Sequence, residues 1–130
     1  MNIIVCVDDN NGMLFNNRRQ SRDRRLIRRV RNITEGHRLW MNAYSARLFG
    51  DGVCVAEDFL DRAEPDDFCF IENVSVPREG IEQVILYRWN REYPADVYFD
   101  LDLGGIEPNS IYEFKGSSHE CITEEIYTLA

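Results

Sequence analysis

The sequence has no long hydrophobic run. Its longest, Ile3-Ile4-Val5-Cys6-Val7, falls far short of the roughly 18 apolar residues a membrane-spanning helix needs. The N-terminus has no basic segment and reaches Asp8-Asp9 too early for a signal peptide, so a cytoplasmic protein is expected. None of Cys6, Cys54, Cys69 and Cys121 lies closer than fifteen positions to another, which excludes Cys-x-x-Cys pairs and zinc-ribbon spacing. Three of them sit inside apolar stretches and read as buried reduced thiols, with a disulfide or a catalytic cysteine as the alternative. No repeat, low-complexity tract or linker interrupts the chain.

What is present fits one domain spanning residues 1–130. Apolar residues make up 44% and charged residues 29%, enough for one sizeable core and too apolar for wholesale disorder. The net charge is −8, and it is unevenly spread. Residues 18–31 carry eight arginines against one acid, Asp23, so that segment is +7 and the remainder −15. The asymmetry points to an anion-binding face or to association with an acidic surface, including that of a second copy. The overall acidity argues against a dedicated nucleic-acid binder.

Residues 2–8 read as a buried strand, with β-branched side chains on both parities. Asp9-Asn10-Asn11-Gly12 is a turn, and 13–20 reads as a loop. Ser21 is a good N-cap for a helix over 22–33. On that helix Leu26, Ile27, Val30 and Ile33 share one face, the arginines fill the other, and Asp23 falls with the apolar residues. A carboxylate carried inward needs a partner or a ligand, unless it is only an early helix residue favoured by the macrodipole. Strands follow at 37–42, 53–56, 68–71, 84–87, 97–101, 111–114 and 122–129, with short helices over 44–49 and 57–62. Early strands interleaved with helices, then strands alone, predict an α/β fold: a mixed sheet with helices on its faces.

Several weaker constellations carry chemistry. Ser117-Ser118-His119-Glu120 contains a nucleophile and a base, although sequence neighbours rarely face one another, and an exposed turn is the alternative. Asp96, Asp100 and Asp102 share a parity and suit a divalent cation or, equally, a solvated strand edge; no metal is expected. Tyr87, Trp89, Tyr93 and Tyr98 form an aromatic-rich region able to stack a heterocycle or to pack a core.

Taken in order, four stretches resemble dihydrofolate reductase. They are Val7-Asp8 with Gly12; Gln20 to Leu26 with Asp23 inside it; Arg38 to Ser45; and Val84 to Tyr87 followed by Ala95 to Asp100. The resemblance implies a dihydrofolate-reductase-like single compact domain. It implies that Asp23 stands where that family's acid binds the pterin ring, making it the candidate catalytic residue. Ligand-binding residues would be Val7, Gly12, Asp23, Ile27, Ser45, Tyr87 and Val97, with Arg18, Arg19, Arg22, Arg25 and Arg29 as anion-binding residues.

The departures fall on the cofactor motifs. Asn42-Ala43 replaces a Gly-Arg pair, and Glu72-Asn73 stands where paired glycines would approach NADPH. Val97 matches a hydroxyl-bearing threonine. The expected function is therefore binding of a small heterocycle or phosphorylated ligand without orthodox NADPH-dependent hydride transfer. No cofactor is expected, with NADPH as the alternative although its motifs are missing. Whether any reaction is catalysed stays open, a divergent reductase being the enzyme alternative. The alternative is an interaction module whose arginine helix, 22–33, binds RNA or an acidic protein. A monomer or a homodimer fits either reading. The sequence also resembles uncharacterised bacterial proteins labelled ribonuclease Z. That class needs a His-x-His-x-Asp-His cluster, and His37 and His119, 82 positions apart, do not supply one.

Overall fold

Strand β1 (Asn2–Val7) sits in the middle of the protein, and its alternation divides the core in two. Successive strand side chains point to opposite sheet faces. Ile3, Val5 and Val7 therefore pack on one face and Ile4 on the other, each of them fully buried. This is why both parities of β1 are apolar.

The computed structural model describes residues 1–129. After β1 come β2 (Gly12–Phe15), β3 (Arg18–Arg19), α1 (Arg24–Ile33), β4 (Leu39–Met41), α2 (Ala43–Phe49) and β5 (Cys54–Val55). Then follow α3 (Phe59–Arg62), β6 (Phe68–Phe70), β7 (Gln83–Arg88), β8 (Val97–Tyr98), β9 (Ser110–Phe114) and β10 (Ile122–Thr128). Seven strands form one sheet in the order β5-β4-β6-β1-β7-β10-β9. The first five are parallel; β10 runs antiparallel to β7, and β9 antiparallel to β10. Leu26 and Val30 of α1 and Phe49 of α2 cover the Ile4 face, and Phe59 of α3 covers the other. Among the described residues no helix is long and apolar enough to cross a membrane.

Three sequence expectations change. The segment 13–20 is a hairpin rather than a loop: β2 pairs β3 antiparallel across Asn16 and Asn17, whose φ angles are 51° and 61°. Positive φ at both central residues is what a type I′ hairpin turn requires, and asparagine tolerates it. The strand expected over 97–101 shortens to β8, which pairs β2 in a separate three-stranded sheet, β3-β2-β8. The third concerns the start of α1. Asp23, not Ser21, is the N-cap, with φ −154° and ψ 128°. Asp23 is thus extended rather than helical, and it points inward because of the cap geometry, not because it lies on the apolar face.

The turn before β2 is anchored by Asp8. One carboxylate oxygen accepts from the backbone N–H groups of Asn10 (2.9 Å) and Gly12 (2.7 Å), the other from the Tyr93 N–H (3.0 Å) and the Gln20 amide (3.2 Å). Burial alone would raise the Asp8 pKa, and these donors outweigh it and hold it below the usual value. A Cβ at Gly12 would lie 2.5 Å from the Ala95 Cβ and 2.6 Å from the Gln20 amide nitrogen. Gly12→Ala is expected to lose about 2 kcal/mol by overpacking, read from urea unfolding. A loss below about 0.5 kcal/mol would show that this turn gives way freely.

Candidate ligand-binding site

In open sheets with parallel strands, ligands gather outside the carboxyl ends of the strands. Here the ends of β1, β4 and β6 converge with the hairpin on Cys6, Arg19, Ser45 and Glu72, and the space among them is closed. Arg19 Nε and Nη2 donate to the two Glu72 carboxylate oxygens at 2.9 and 3.0 Å. Ser45 Oγ donates to the same carboxylate at 2.7 Å. The Tyr44 ring lies 4.3 Å beneath the guanidinium, and its hydroxyl accepts from the Arg19 N–H at 2.9 Å. What is left of the crevice, lined by Cys6, Met13, Gln20, Ser21 and Trp89 among others, is about 10 Å³, the room of one water. Burial, and then the Glu72 charge, push the Cys6 thiol well up, so it is not a reactive thiolate.

Beside this plug lies a second polar cluster. Asp23 Oδ1 accepts from the N–H groups of Arg25 (2.9 Å), Leu26 (3.2 Å) and Ser117 (2.9 Å) and from the Ser117 hydroxyl (3.1 Å). Oδ2 accepts from the Ser118 N–H (2.7 Å) and from His119 Nδ1 (3.0 Å). Burial acts to raise the Asp23 pKa, and the Ser117 and Ser118 N–H groups, His119 and Leu26 overcome it, holding the carboxyl far below its usual range. An ionised Asp23 fixes the imidazole tautomer. His119 Nδ1 donates its hydrogen bond to Asp23, and Nε2 lies within hydrogen-bond distance of the hydroxyls of Tyr93 (3.0 Å) and Ser21 (3.2 Å). Trp89 stacks on the ring at 4.5 Å. The 117–119 turn is thus a clamp on the start of α1. Its serines and histidine face Asp23, 94 to 96 positions away, and Ser21, 98 away, rather than one another. Sequence reasoning missed this because no local spacing encodes it.

Open volume lies on either side of the plug. A cleft of about 520 Å³ runs between α1, α2 and the clamp, with Ile27 and Leu48 as apolar floor and Arg22 and Arg24 at its rim. A second, of about 450 Å³, lies beside the hairpin against Phe15, Arg18, Gln20 and Tyr93.

Of the residues assigned to ligand from sequence, Asp23 and Ile27 meet in the first cleft. The others are dispersed. Val7 is in the core, Gly12 in the Asp8 turn, and Ser45 on Glu72. Tyr87 is buried, with its hydroxyl donating to Glu124 at 2.7 Å, and Val97 is exposed on β8. Of the arginines assigned to anions, Arg19 is committed to Glu72 and Arg29 to Glu124, and Arg18, Arg22 and Arg25 are exposed. Asp96, Asp100 and Asp102 serve separate partners: the Asn16 N–H, Arg78 and the Gly104 N–H. Among the described residues no group of three potential ligands is placed to hold a metal ion.

The architecture has counterparts among solved structures. Dihydrofolate reductase from Enterococcus faecalis, complexed with NADP(H) and RAB-propyl, superposes with a TM-score of 0.67 at 12% identity, over 98% of this chain and 94% of that one. The fold is therefore that of the dihydrofolate-reductase-like α/β proteins. No protein-family model matches the sequence, and no curated protein matches it.

Proposed function

We propose that the protein binds a small, flat, anionic ligand, a heterocycle or nucleotide, in the α1–α2 cleft, and that it does not carry out NADPH-dependent hydride transfer. The observation that supports this most directly is the exchange of volumes. The crevice at the strand ends is closed by the Arg19–Glu72 pair, and about 520 Å³ stays open beside it. Ile27 and Leu48 offer the faces of a ring an apolar surface, and Arg22 and Arg24 offer a phosphate or carboxylate planar, charge-assisted donors. The Asp23 carboxylate has its donors already, so it shapes the cleft wall rather than receiving the ligand's hydrogen bonds.

The residues after β6 do not fit a dinucleotide. Glu72 puts a carboxylate where a pyrophosphate would need N–H groups, and the Asn73 side chain accepts from the Asn42 amide at 2.7 Å instead of leaving the backbone bare.

Thermal unfolding with folates, pterins, nucleotides and NADPH is the test. A ligand at a hundred times its Kd adds about 2.7 kcal/mol, which raises the midpoint by several degrees. That rise is expected for at least one pterin, folate or nucleotide and should vanish in Leu48→Asp and in the Arg22→Glu/Arg24→Glu double variant. No shift from any compound, or a shift from NADPH accompanied by its oxidation, would overturn the reading.

A further inference from the structure

The opposite flank of α1 carries a different kind of surface. Between α1 and the edge strand β9 runs a groove of about 310 Å³ walled by Arg25, Arg28, Arg29 and Asn32 on the helix and by Tyr112 and Phe114 of the strand with Lys115 just after it. Lys115 is the chain's single lysine. Arg25, Arg28 and Lys115 are exposed and make no ion pair among the described residues. Arg29 is held from beneath by buried Glu124, and its guanidinium lies 4.4 Å over the Tyr112 ring. Tyr112 is 46% exposed and stacks on Phe114 with centroids 5.8 Å apart and planes 21° from parallel.

We propose that this groove binds a short single-stranded polynucleotide segment, its bases on the Tyr112–Phe114 platform and its phosphates on Arg25, Arg28 and Lys115. Three properties select that occupant. Free guanidinium and ammonium groups suit phosphates. The Arg29 guanidinium over Tyr112 and the Phe114 ring stacked against it form a layered stack beside them, whose outer planes offer base faces a surface that an acidic peptide does not use. Single strands present those base faces, whereas duplexes hide them. The remainder of the chain is strongly acidic, which repels long polyanions and confines contact to this strip. From Arg25 to Asn32 the helix rises about 10 Å, the span of about three stacked nucleotides. The inference is independent of the α1–α2 cleft, which uses other residues.

Fluorescence anisotropy with labelled ten-nucleotide oligouridylate and oligothymidylate, between 50 and 200 mM salt, tests it. RNA and DNA arms identify the sugar. With about three phosphate contacts, log Kd should change with log salt with a slope of about 2. Tyr112→Ala should weaken binding about five- to a hundredfold and Tyr112→Phe should retain it. Arg25→Glu with Arg28→Glu should abolish it. On the unaltered protein, an abasic oligomer of equal length should bind at least about tenfold more weakly than oligothymidylate. No binding at 50 mM salt, equal affinity for the abasic strand, or equal competition by polyglutamate would overturn the proposal, the last pointing to an acidic protein instead.

Discussion

Asp23→Ala is expected to lose about 4 kcal/mol of stability and to lower the thermal midpoint by on the order of 10–20 °C. The loss follows from what the carboxylate holds. As N-cap it accepts from two N–H groups of the first helical turn, worth about 1 kcal/mol by itself. It also satisfies the buried His119 imidazole, which becomes a donor without an acceptor when the carboxylate is removed, at about 1–3 kcal/mol, and the N–H groups of Ser117 and Ser118, which border the open cleft and can turn to water at a smaller cost. Asp23→Asn keeps the cap and one acceptor oxygen, and half that loss is expected. Urea unfolding curves read both. A loss below about 1 kcal/mol for the alanine variant would show that the clamp does not depend on Asp23 and would return its carboxylate to a ligand-binding role.

The same residue predicts the acid limb of stability. The Asp23 pKa is lower in the folded state than in the unfolded chain, where it is about 3.9, so the unfolded state binds the extra proton. Its contribution is complete above that unfolded value and is lost as the pH falls below about 4. Asp8 and Asp67 are shifted in the same direction and steepen the decline. Burial acts to raise Asp67 as well, and the Glu64 N–H, the Trp40 indole and Arg38 outweigh it. Asp23→Ala should flatten the stability–pH profile between about pH 2 and 4, and an unchanged profile would refute the assignment.

Glu124→Ala is expected to lose about 3–5 kcal/mol. Glu124 is 1% exposed, accepts from Arg29 at 2.8 and 3.0 Å and takes the Tyr87 hydroxyl at 2.7 Å. Arg29 is partly exposed and can turn to solvent, whereas the Tyr87 hydroxyl cannot, and its stranding dominates the loss. Burial, and then the Glu124 charge, place the Tyr87 pKa far above its usual value, so the phenol stays a donor at every working pH. The double variant Glu124→Leu/Tyr87→Phe should therefore recover much of the loss, because it strands nothing apart from a solvent-reaching arginine. A double variant no better than Glu124→Ala, measured by equilibrium unfolding, would mean that the cavity rather than the orphaned hydroxyl sets the effect.

Much of the scaffold was legible because it rests on local pattern. The both-parity apolar run of β1, the Leu26–Val30 stripe of α1 and the strand-like apolar segments 68–71 and 84–87 each mark an element without knowledge of its neighbours. The order of the four reductase-like stretches then led to the sheet that the superposition bears out. The hairpin at Asn16-Asn17 was hidden because β3 is two residues long and offers no periodicity to read. The start of α1 was misplaced because Ser21 and Asp23 are equally good caps by residue type, and only the position of the 117–119 turn decides between them.

By itself, then, the sequence determined the class of fold and the concentration of positive charge on one helix, which follow from residue type and spacing along the chain, whereas the inward aim of Asp23 came from its extended cap geometry and its distant partners. Only the tertiary structure decided where those charges go. It pairs Arg19 with the partly buried Glu72 and Arg29 with the buried Glu124, closes the strand-end crevice, and opens clefts on the two flanks of α1. The physical reason is that ion pairs and clamps join residues tens of positions apart. Whether a carboxylate meets a ligand or a backbone N–H depends on which distant turn folding carries to it.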